Sequence, residues 1–210
     1  MAGGGSRRRV ALTFDMEHPS RKDNATDSPA RLLDVLAQHD VRSTFFVQGR
    51  WARSHPDVAR RVPAEGHLVG SHSHFHAPMP LLSDDGIRAD LAQARDALVE
   101  VVDRDPVPWF RCPFGAGHDD ARVLAVLRDE GYRDVHWDVD GVDWAEGRTS
   151  DQVRDAVVTG VREGPTDAIV LMHTWPAVTP TATAEAILLL ADDGVDFVTV
   201  DELVDPTTGK

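Results

Sequence analysis

The chain begins its fold with Val10-Ala11-Leu12-Thr13-Phe14, a short apolar run that ends at the acidic Asp15. Runs of this length and composition are typical of buried β-strands. Similar runs follow at residues 41–47, 68–71, 109–111, 135–139, 168–172 and 197–200. Helical patterns separate them, so strand and helix alternate in about seven units. This alternation predicts parallel strands closed into a barrel, complete or distorted, rather than an open sheet.

Capping residues mark where the helices begin. Ser28 is a candidate N-cap with Pro29 at the first helical position, which predicts a helix over residues 28–38. Ser83 is the candidate cap of a longer helix. Its apolar residues recur at a spacing that predicts one buried face, at Ile87, Leu91, Ala94, Leu98 and Val101. Further helices are predicted over residues 56–64, 120–130, 150–162 and 183–191.

The composition is that of one globular domain. The chain has 210 residues, of which 41% are hydrophobic, and neither an internal repeat nor a change in composition divides it. A chain of this length can bury a full core. We therefore predict a flexible N-terminal tail at residues 1–9 and a single domain over residues 10–205.

Charge and cysteine content exclude several classes of function. There are 22 Lys and Arg residues against 35 Asp and Glu residues, so the formal charge is 22 − 35 = −13, which argues against binding to nucleic acid. The single cysteine, Cys112, excludes an internal disulfide, and no apolar stretch reaches the length of a membrane span. Residues 1–9 carry positive charge without an apolar segment, which predicts a cytoplasmic protein as written, or a secreted one if a signal has been trimmed. The sequence does not define the oligomeric state.

Three histidines lie within five residues at the end of the third predicted strand: His72, His74 and His76. His72 and His76 are four residues apart, so one tight turn can bring both rings to one cation, and the hydroxyl of Ser73 can hold that turn. Solvated loop histidines are the alternative for the cluster alone. His74 is expected to support the site or face solvent rather than bind the metal.

Other polar residues follow the ends of predicted strands. Asp15 and Glu17 follow the first strand, and the others lie after the fourth, fifth and sixth strands, at Arg111, Asp138, Asp140, Asp143 and His173. Singly, each could be a helix cap, a surface ion pair or a buried polar residue. In a β/α barrel, however, the carboxyl ends of the strands meet at one mouth, so together these residues predict an active site there.

Five motifs in chain order carry a resemblance to a known family: Thr13-Phe14-Asp15, His72-Ser73-x-x-His76, Arg111-x-Pro113-x-Gly115, Asp143-Trp144 and Leu171-x-His173. They resemble the motifs of the NodB-homology polysaccharide deacetylases, the fourth carbohydrate esterase family, and the resemblance covers residues 10–200. It implies a distorted barrel of seven or eight β/α units. It also implies that a divalent metal helps to remove acetyl from an N-acetylated amino sugar.

The resemblance also implies a role for each motif residue. His72 and His76 would bind one divalent metal, with zinc as first choice and cobalt, nickel or manganese as alternatives. Asp15 would be the general base, and its pairing with Arg111 would orient the carboxylate and favour its charged form. His173 would be the general acid, held charged and aimed by a carboxylate. That carboxylate would be Asp143 or a neighbouring acidic residue.

Several apolar and aromatic residues are candidates for contact with substrate. Trp144 and Leu171 match positions that wall the pocket for the acetyl methyl group, and Pro113 belongs to the same motif set. Trp175 follows the predicted acid closely enough to face a sugar ring, although a tryptophan in the ordinary core is equally compatible with the sequence.

The first motif departs from the family pattern, Thr-Phe-Asp-Asp-Gly-Pro, in which the second Asp binds the metal. Here Met16 follows Asp15, and a thioether is a poor ligand for zinc. On an extended strand end residues 15 and 17 point to the same side, so Glu17 is the expected replacement ligand. Branches of the wider superfamily with an altered first motif include enzymes that act on small molecules and enzymes that cleave cyclic amides. The resemblance therefore leaves these substrates open as well.

Three functions follow from the sequence. The first is an N-deacetylase acting on a polysaccharide, an oligosaccharide or a small glycoside. The second is a hydrolase of another non-peptide C–N bond, of the cyclic imide or ureide type, with a small-molecule amide as substrate. The third is an inactive sugar-binding or metal-binding relic, against which the presence of both Asp15 and His173 argues.

Overall fold

The computed structural model describes residues 7–18 and 27–204 and has a parallel β-sheet at its centre. The strands are β1 (Arg9–Met16), β2 (Thr44–Val47), β3 (Leu68–Ser71), β4 (Trp109–Phe110), β5 (Arg133–Asp134), β6 (Val139–Asp140), β7 (Asp167–His173) and β8 (Asp196–Phe197). Seven of them follow the order β5-β4-β3-β2-β1-β7-β6, and β8 pairs with the start of β1. The predicted single-domain, distorted β/α barrel is confirmed.

Helices pack against this sheet. They are α1 (Ser28–Gln38), α2 (Gly49–Ser54), α3 (Pro56–Ala64), α4 (Asp84–Val102), α5 (Ala121–Asp129), α6 (Ser150–Glu163), α7 (Thr179–Asp192) and α8 (Val200–Leu203). The predicted stripe on α4 is buried throughout. Short 3-10 turns occupy Met79–Leu81 and Pro113–Gly115.

The alternation of side chains along β1 separates core from site. Alternate residues such as Leu12 and Phe14 join the main apolar core, in which leucines of α1 also lie. Thr13 and Asp15, which point the other way, both contact the buried side chain of Arg111. One strand therefore supplies both an apolar face and a polar face that carries chemistry.

The segment that closes the barrel was predicted as a strand over residues 135–139, and this prediction was wrong. β5 and β6 are two-residue strands at opposite ends of the sheet. The chain between them, the crossing segment at residues 135–138, runs from one edge of the sheet to the other. The Val135 amide donates to the Phe110 carbonyl oxygen of β4 at 2.7 Å, and the Asp138 amide donates to the Ile169 carbonyl oxygen of β7 at 2.9 Å. An apolar run shows that a segment is buried but not which strands it pairs with.

Two other strand boundaries differ from the prediction. β2 begins at Thr44 rather than at residue 41, because the Val41 amide donates to the Leu36 carbonyl oxygen and closes the end of α1. The predicted strand over residues 197–200 ends at Phe197. Beyond it Thr199 caps α8, with its side chain and backbone both bonded to Glu202.

The helix predictions need three corrections. The short α2 was not predicted, and α7 begins at Thr179 rather than at residue 183, with Pro180 accommodated in its first turn. Asp27, not Ser28, is the N-cap of α1, because the Ser28 hydroxyl donates instead to the Pro176 carbonyl oxygen at 2.8 Å.

The ends of the chain bear on the predicted domain boundaries. β1 begins at Arg9, and Arg8 donates to the Gly164 carbonyl oxygen at 3.0 Å, so the fold includes residues placed in the predicted tail. Residues 1–6 of that tail, and residue 205 at the predicted domain end, lie outside the described residues. No helix within the described part of the chain combines the length and apolar character that a membrane span requires.

Candidate active site

Glu17, His72 and His76 form a compact group of potential metal ligands. Their ligand atoms all lie within 4.8 Å of one another. Within residues 7–18 and 27–204, no other three His, Cys, Asp or Glu side chains come together in this way. His72 Nε2 lies 3.3 Å from Glu17 Oε2 and 3.1 Å from His76 Nε2, and His76 Nε2 also contacts Glu17 Oε2. Two imidazole nitrogens and one carboxylate oxygen therefore converge on one point.

The outer atoms of two of these side chains are fixed by hydrogen bonds. His72 Nδ1 lies 2.9 Å from the Arg111 carbonyl oxygen, which can only accept, so Nδ1 carries the proton and the Nε2 lone pair faces the group. Trp175 Nε1 donates to Glu17 Oε1 at 3.1 Å, whereas the buried Oε2 faces the two imidazoles. A buried carboxylate oxygen beside two imidazole nitrogens fits one divalent cation, and the N,N,O set suits zinc.

The pKa shifts within this group agree with a metal-binding role. Burial alone would raise the pKa of Glu17, but His72 and His76 outweigh it and hold the pKa well below its ordinary value. Burial likewise opposes a charged His72, but Asp15 and Glu17 outweigh it and raise the pKa of that imidazole. A position where carboxylates favour a proton on nitrogen also favours a metal cation.

Asp15 and Arg111 form a buried ion pair beside the ligand group. Arg111 Nη1 donates to Asp15 Oδ1 at 3.0 Å and to Thr13 Oγ1 at 2.8 Å, and Nε donates to the Val135 carbonyl oxygen at 2.9 Å. The crossing segment of the barrel thus holds the guanidinium in place. Asp15 Oδ2 lies 3.5 Å from His72 Nε2, so one carboxylate oxygen is occupied and the other faces the ligand group.

His173, at the end of β7, and Asp143, after β6, form a second pair. His173 Nδ1 lies 2.9 Å from Asp143 Oδ1, and the other carboxylate oxygen accepts from the His173 amide at 2.8 Å and from the Thr179 hydroxyl at 2.6 Å. Burial opposes the charged imidazole, but Asp143 outweighs it, Asp15 and Glu17 add to the effect, and the pKa of His173 is raised to about 9. His173 is therefore charged at neutral pH.

Strand register explains why the two pairs meet. Asp15 and His173 are partners in the parallel pairing of β1 with β7, as are Thr13 and Leu171 two residues earlier. Paired residues on adjacent strands point to the same face of a sheet. The register therefore places the predicted base and the predicted acid side by side.

A cavity of about 460 Å³ opens over both pairs and the ligand group. Trp144, Leu171 and Trp175 line it as expected, and Trp144 remains 46% exposed. Pro113 does not line it. That proline is buried at the start of a 3-10 turn, and the next two residues, Phe114 and Gly115, face the cavity instead.

Asp140 also lines the cavity, as its place after a predicted strand indicated, whereas three other lining residues were not predicted: His18, Phe114 and Trp137. Phe114 is 68% exposed, and its ring lies 4.4 Å from that of His76. An aromatic residue inside the Arg-x-Pro-x-Gly motif was the available signal for it. Trp137 belongs to the crossing segment, so nothing in the local sequence could place it at the mouth.

His74 does not join the ligand group. Its side chain is buried, and Gly49, at the start of α2, leaves space for it, because a β-carbon there would lie 2.6 Å from His74 Nδ1. The imidazole therefore packs under the loop instead of facing the cavity.

Comparisons with known proteins agree with the motifs. A family model described as polysaccharide deacetylase matches residues 2–135. The chain belongs to the polysaccharide deacetylase family. This confirms the family that the five sequence motifs predicted.

Its relatives include N-deacetylases of amino sugars. The chain is 36% identical to a chitooligosaccharide deacetylase of Rhizobium leguminosarum bv. trifolii, covering 81% of this chain and 73% of that protein. It is 33% identical to a peptidoglycan-N-acetylglucosamine deacetylase of Listeria monocytogenes, covering 93% of this chain and 39% of that protein. The solved structure of a CE4 family pseudoenzyme from Bacillus anthracis matches with a TM-score of 0.83 and 28% identity, covering 96% of this chain and 66% of that one.

Proposed function

We propose that this chain is a metal-dependent hydrolase that removes the acetyl group from an N-acetylated amino sugar. One observation carries the proposal. Asp15 with Arg111 and His173 with Asp143 each present one reactive atom to the same cavity, which the Glu17, His72 and His76 group also faces. Hydrolysis of an amide needs a group that accepts a proton from water and another that donates one to the leaving nitrogen.

The metal would be held by Glu17 Oε2 and by the Nε2 atoms of His72 and His76. A divalent ion such as zinc supplies Lewis acidity, which polarises the amide carbonyl and makes water easier to deprotonate near neutral pH. Trp175 would keep Glu17 bound through a single oxygen, because its indole N–H occupies Oε1.

Asp15 would act as the general base through Oδ2. Its Oδ1 is occupied by Arg111, which also fixes the plane of the carboxylate, so Oδ2 is the oxygen free to accept the proton of water. As the proton passes to Asp15, the oxygen of that water would add to the acetyl carbon, and the acetyl group would leave as acetate.

His173 would act as the general acid through Nε2. Its Nδ1 is bonded to Asp143, and the pKa raised to about 9 keeps the imidazole protonated at neutral pH. The proton passes to the amide nitrogen as the C–N bond breaks, so that the amino sugar leaves as a neutral amine.

The walls of the cavity suit a sugar with a small apolar substituent. Leu171 is buried beside His173 and offers an apolar surface for the acetyl methyl group, as Trp144 does at the edge. The exposed rings of Phe114 and Trp144 at the mouth offer flat apolar faces against which a sugar ring can stack.

The proposal can be tested against its two alternatives in one set of assays. Metal-depleted protein is reconstituted with zinc, cobalt, nickel or manganese and supplied with N-acetylglucosamine, N-acetylated chitooligosaccharides, peptidoglycan fragments, cyclic imides and ureides. We expect metal-dependent release of acetate from at least one amino sugar, and loss of that release in His76→Ala. Ring opening without acetate release would favour the second function, and bound metal without any turnover would indicate an inactive relic.

A further inference from the structure

Asp90 is a buried charged residue that the proposed chemistry does not use. It lies on α4 among the buried residues of that helix, and the others are all apolar. Its exposure is 3%. A carboxylate is costly to bury unless hydrogen bonds compensate for the lost water, so a charged side chain in this place calls for a specific partner.

The partners of Asp90 are two backbone amides in the loop that joins the histidine ligands. Asp90 Oδ2 accepts from the His74 amide at 2.8 Å, and Oδ1 accepts from the Phe75 amide at 3.0 Å. Both oxygens are therefore used, one for each of two consecutive amides. Hydrogen bonds to an ionised acceptor are stronger than those between neutral groups.

This loop has an unusual backbone that needs such support. Ser73 and His76 have φ values of 62° and 60°, in the left-handed region that non-glycine residues rarely adopt. The Ser73 hydroxyl accepts from the His76 amide at 2.8 Å, and the Ser73 carbonyl oxygen accepts from the Gly49 amide at 3.0 Å. Asp90 satisfies the two amides between these points, so the turn is held at both ends and in the middle.

We propose that Asp90 is a positioning residue for the metal centre, acting through the loop and not through contact with the ligands. By holding the His74 and Phe75 amides it fixes the turn that returns the His76 ring to His72 and Glu17. The inference rests on the metal site of the proposed function. It assigns to α4, which does not line the cavity, an indirect part in metal affinity.

Asp90→Asn tests the inference, because an amide keeps the size of the side chain but has one acceptor oxygen where two amides require two. We expect the dissociation constant for zinc, measured by competition with a chromophoric chelator, to rise about 10–100-fold, as is typical when a residue supporting a metal ligand is lost. Turnover at saturating metal should stay within about threefold of the wild type, because Asp15 and His173 are untouched.

Asp120→Ala is a matched control. Asp120 also accepts hydrogen bonds from two consecutive backbone amides, those of Arg122 and Val123, but these bonds cap α5 instead of supporting the histidine loop. Its loss should lower the melting temperature and leave the zinc dissociation constant unchanged. A folded Asp90→Asn protein with wild-type zinc affinity would overturn the inference, since a merely structural residue would behave as Asp120 does.

A second measurement covers the case in which Asp90→Asn does not fold. In the wild-type protein without metal, the His74 and Phe75 amides should exchange with solvent slowly, because they are bonded to a buried carboxylate. Fast exchange at both amides would overturn the inference. Neither readout requires turnover, so failure to release acetate from any sugar would count against the proposed function and not against Asp90.

Discussion

Two carboxylate–cation pairs face the same cavity, and they are arranged in opposite ways. In the first, the cation is the inner member: Arg111 is 1% exposed and holds one oxygen of Asp15 while the other oxygen faces the ligand group. In the second, the carboxylate is the inner member: both oxygens of Asp143 are occupied, and the imidazole of His173 lines the cavity. In the proposed mechanism, the member that keeps an atom free towards the cavity determines whether a pair accepts or donates a proton.

The difference follows from the strands that carry the pairs. Asp15 and His173 are neighbours in register on β1 and β7, so the proposed base and the proposed acid both come from the centre of the sheet. Their partners come from further out, Arg111 after β4 and Asp143 after β6. In the proposed mechanism, the central strands thus supply the reacting atoms and the outer segments supply their orientation.

The largest effect is expected from Asp15→Asn, which breaks the first pair at its reactive member. The amide keeps the shape but cannot accept a proton at neutral pH, so kcat should fall by about 10⁴-fold while bound metal is retained. Kinetics and metal analysis of the purified variant check this. Asp140→Asn is the matched control, since Asp140 lines the cavity but belongs to neither pair, and a loss of equal size there would contradict the assignment.

His173→Ala breaks the second pair at its reactive member. We expect kcat to fall by about 10³-fold with metal content intact, and the alkaline limb of the pH profile to change, because the group that donates the proton is gone. His18→Ala removes another imidazole from the cavity wall and serves as control. Near wild-type turnover in His173→Ala would remove this residue from the mechanism.

Asp143→Asn weakens the second pair but leaves His173 in place. The folded-state pKa of His173, about 9, lies above the ordinary histidine value, mainly because Asp143 outweighs burial. Without that charge the pKa falls, so the acid loses its proton at lower pH and the alkaline limb of kcat shifts to lower pH. We expect kcat at neutral pH to fall roughly 10–100-fold. An unchanged alkaline limb would show that Asp143 does not control the proton of His173.

The same pair has a consequence for stability. Because the folded-state pKa of His173 is raised above its unfolded value, the pair stabilises the fold fully below about pH 6.5 and loses this contribution as pH rises through about 9. The melting temperature of metal-free wild-type protein should therefore fall more between pH 7 and pH 9 than that of Asp143→Asn. Parallel pH dependence in the two proteins would contradict this.

The smallest effect is expected for Trp175→Phe, which tests the role of Glu17, the carboxylate that belongs to neither pair. Phenylalanine keeps the apolar contact but removes the N–H that holds Glu17 Oε1, so metal affinity should fall about tenfold and activity should recover at high metal concentration. Glu17→Gln should show the same pattern more strongly. If Glu17→Gln keeps its metal and loses turnover instead, the roles of Glu17 and Asp15 are exchanged.

The features predictable from sequence were those carried by local pattern. The order of strands and helices followed from apolar runs and caps, and the clustering of Asp15, His72, Arg111 and His173 followed from their places after strands. The crossing segment at residues 135–138 could not be predicted, because its amides bond to strands distant in sequence. Asp90 was missed for the same reason, since its partners lie in a different element from its own helix.

Zinc-dependent deacetylation can be measured by titrating metal-free protein with zinc and comparing the acetate released from an N-acetylated chitooligosaccharide with the metal bound. We expect the rate to rise in proportion to bound zinc and to stop rising at about one equivalent, with one free amine formed for each acetate. Protein that binds one equivalent of zinc at the site of Glu17, His72 and His76 but releases no acetate from any N-acetylated sugar would contradict the proposed function.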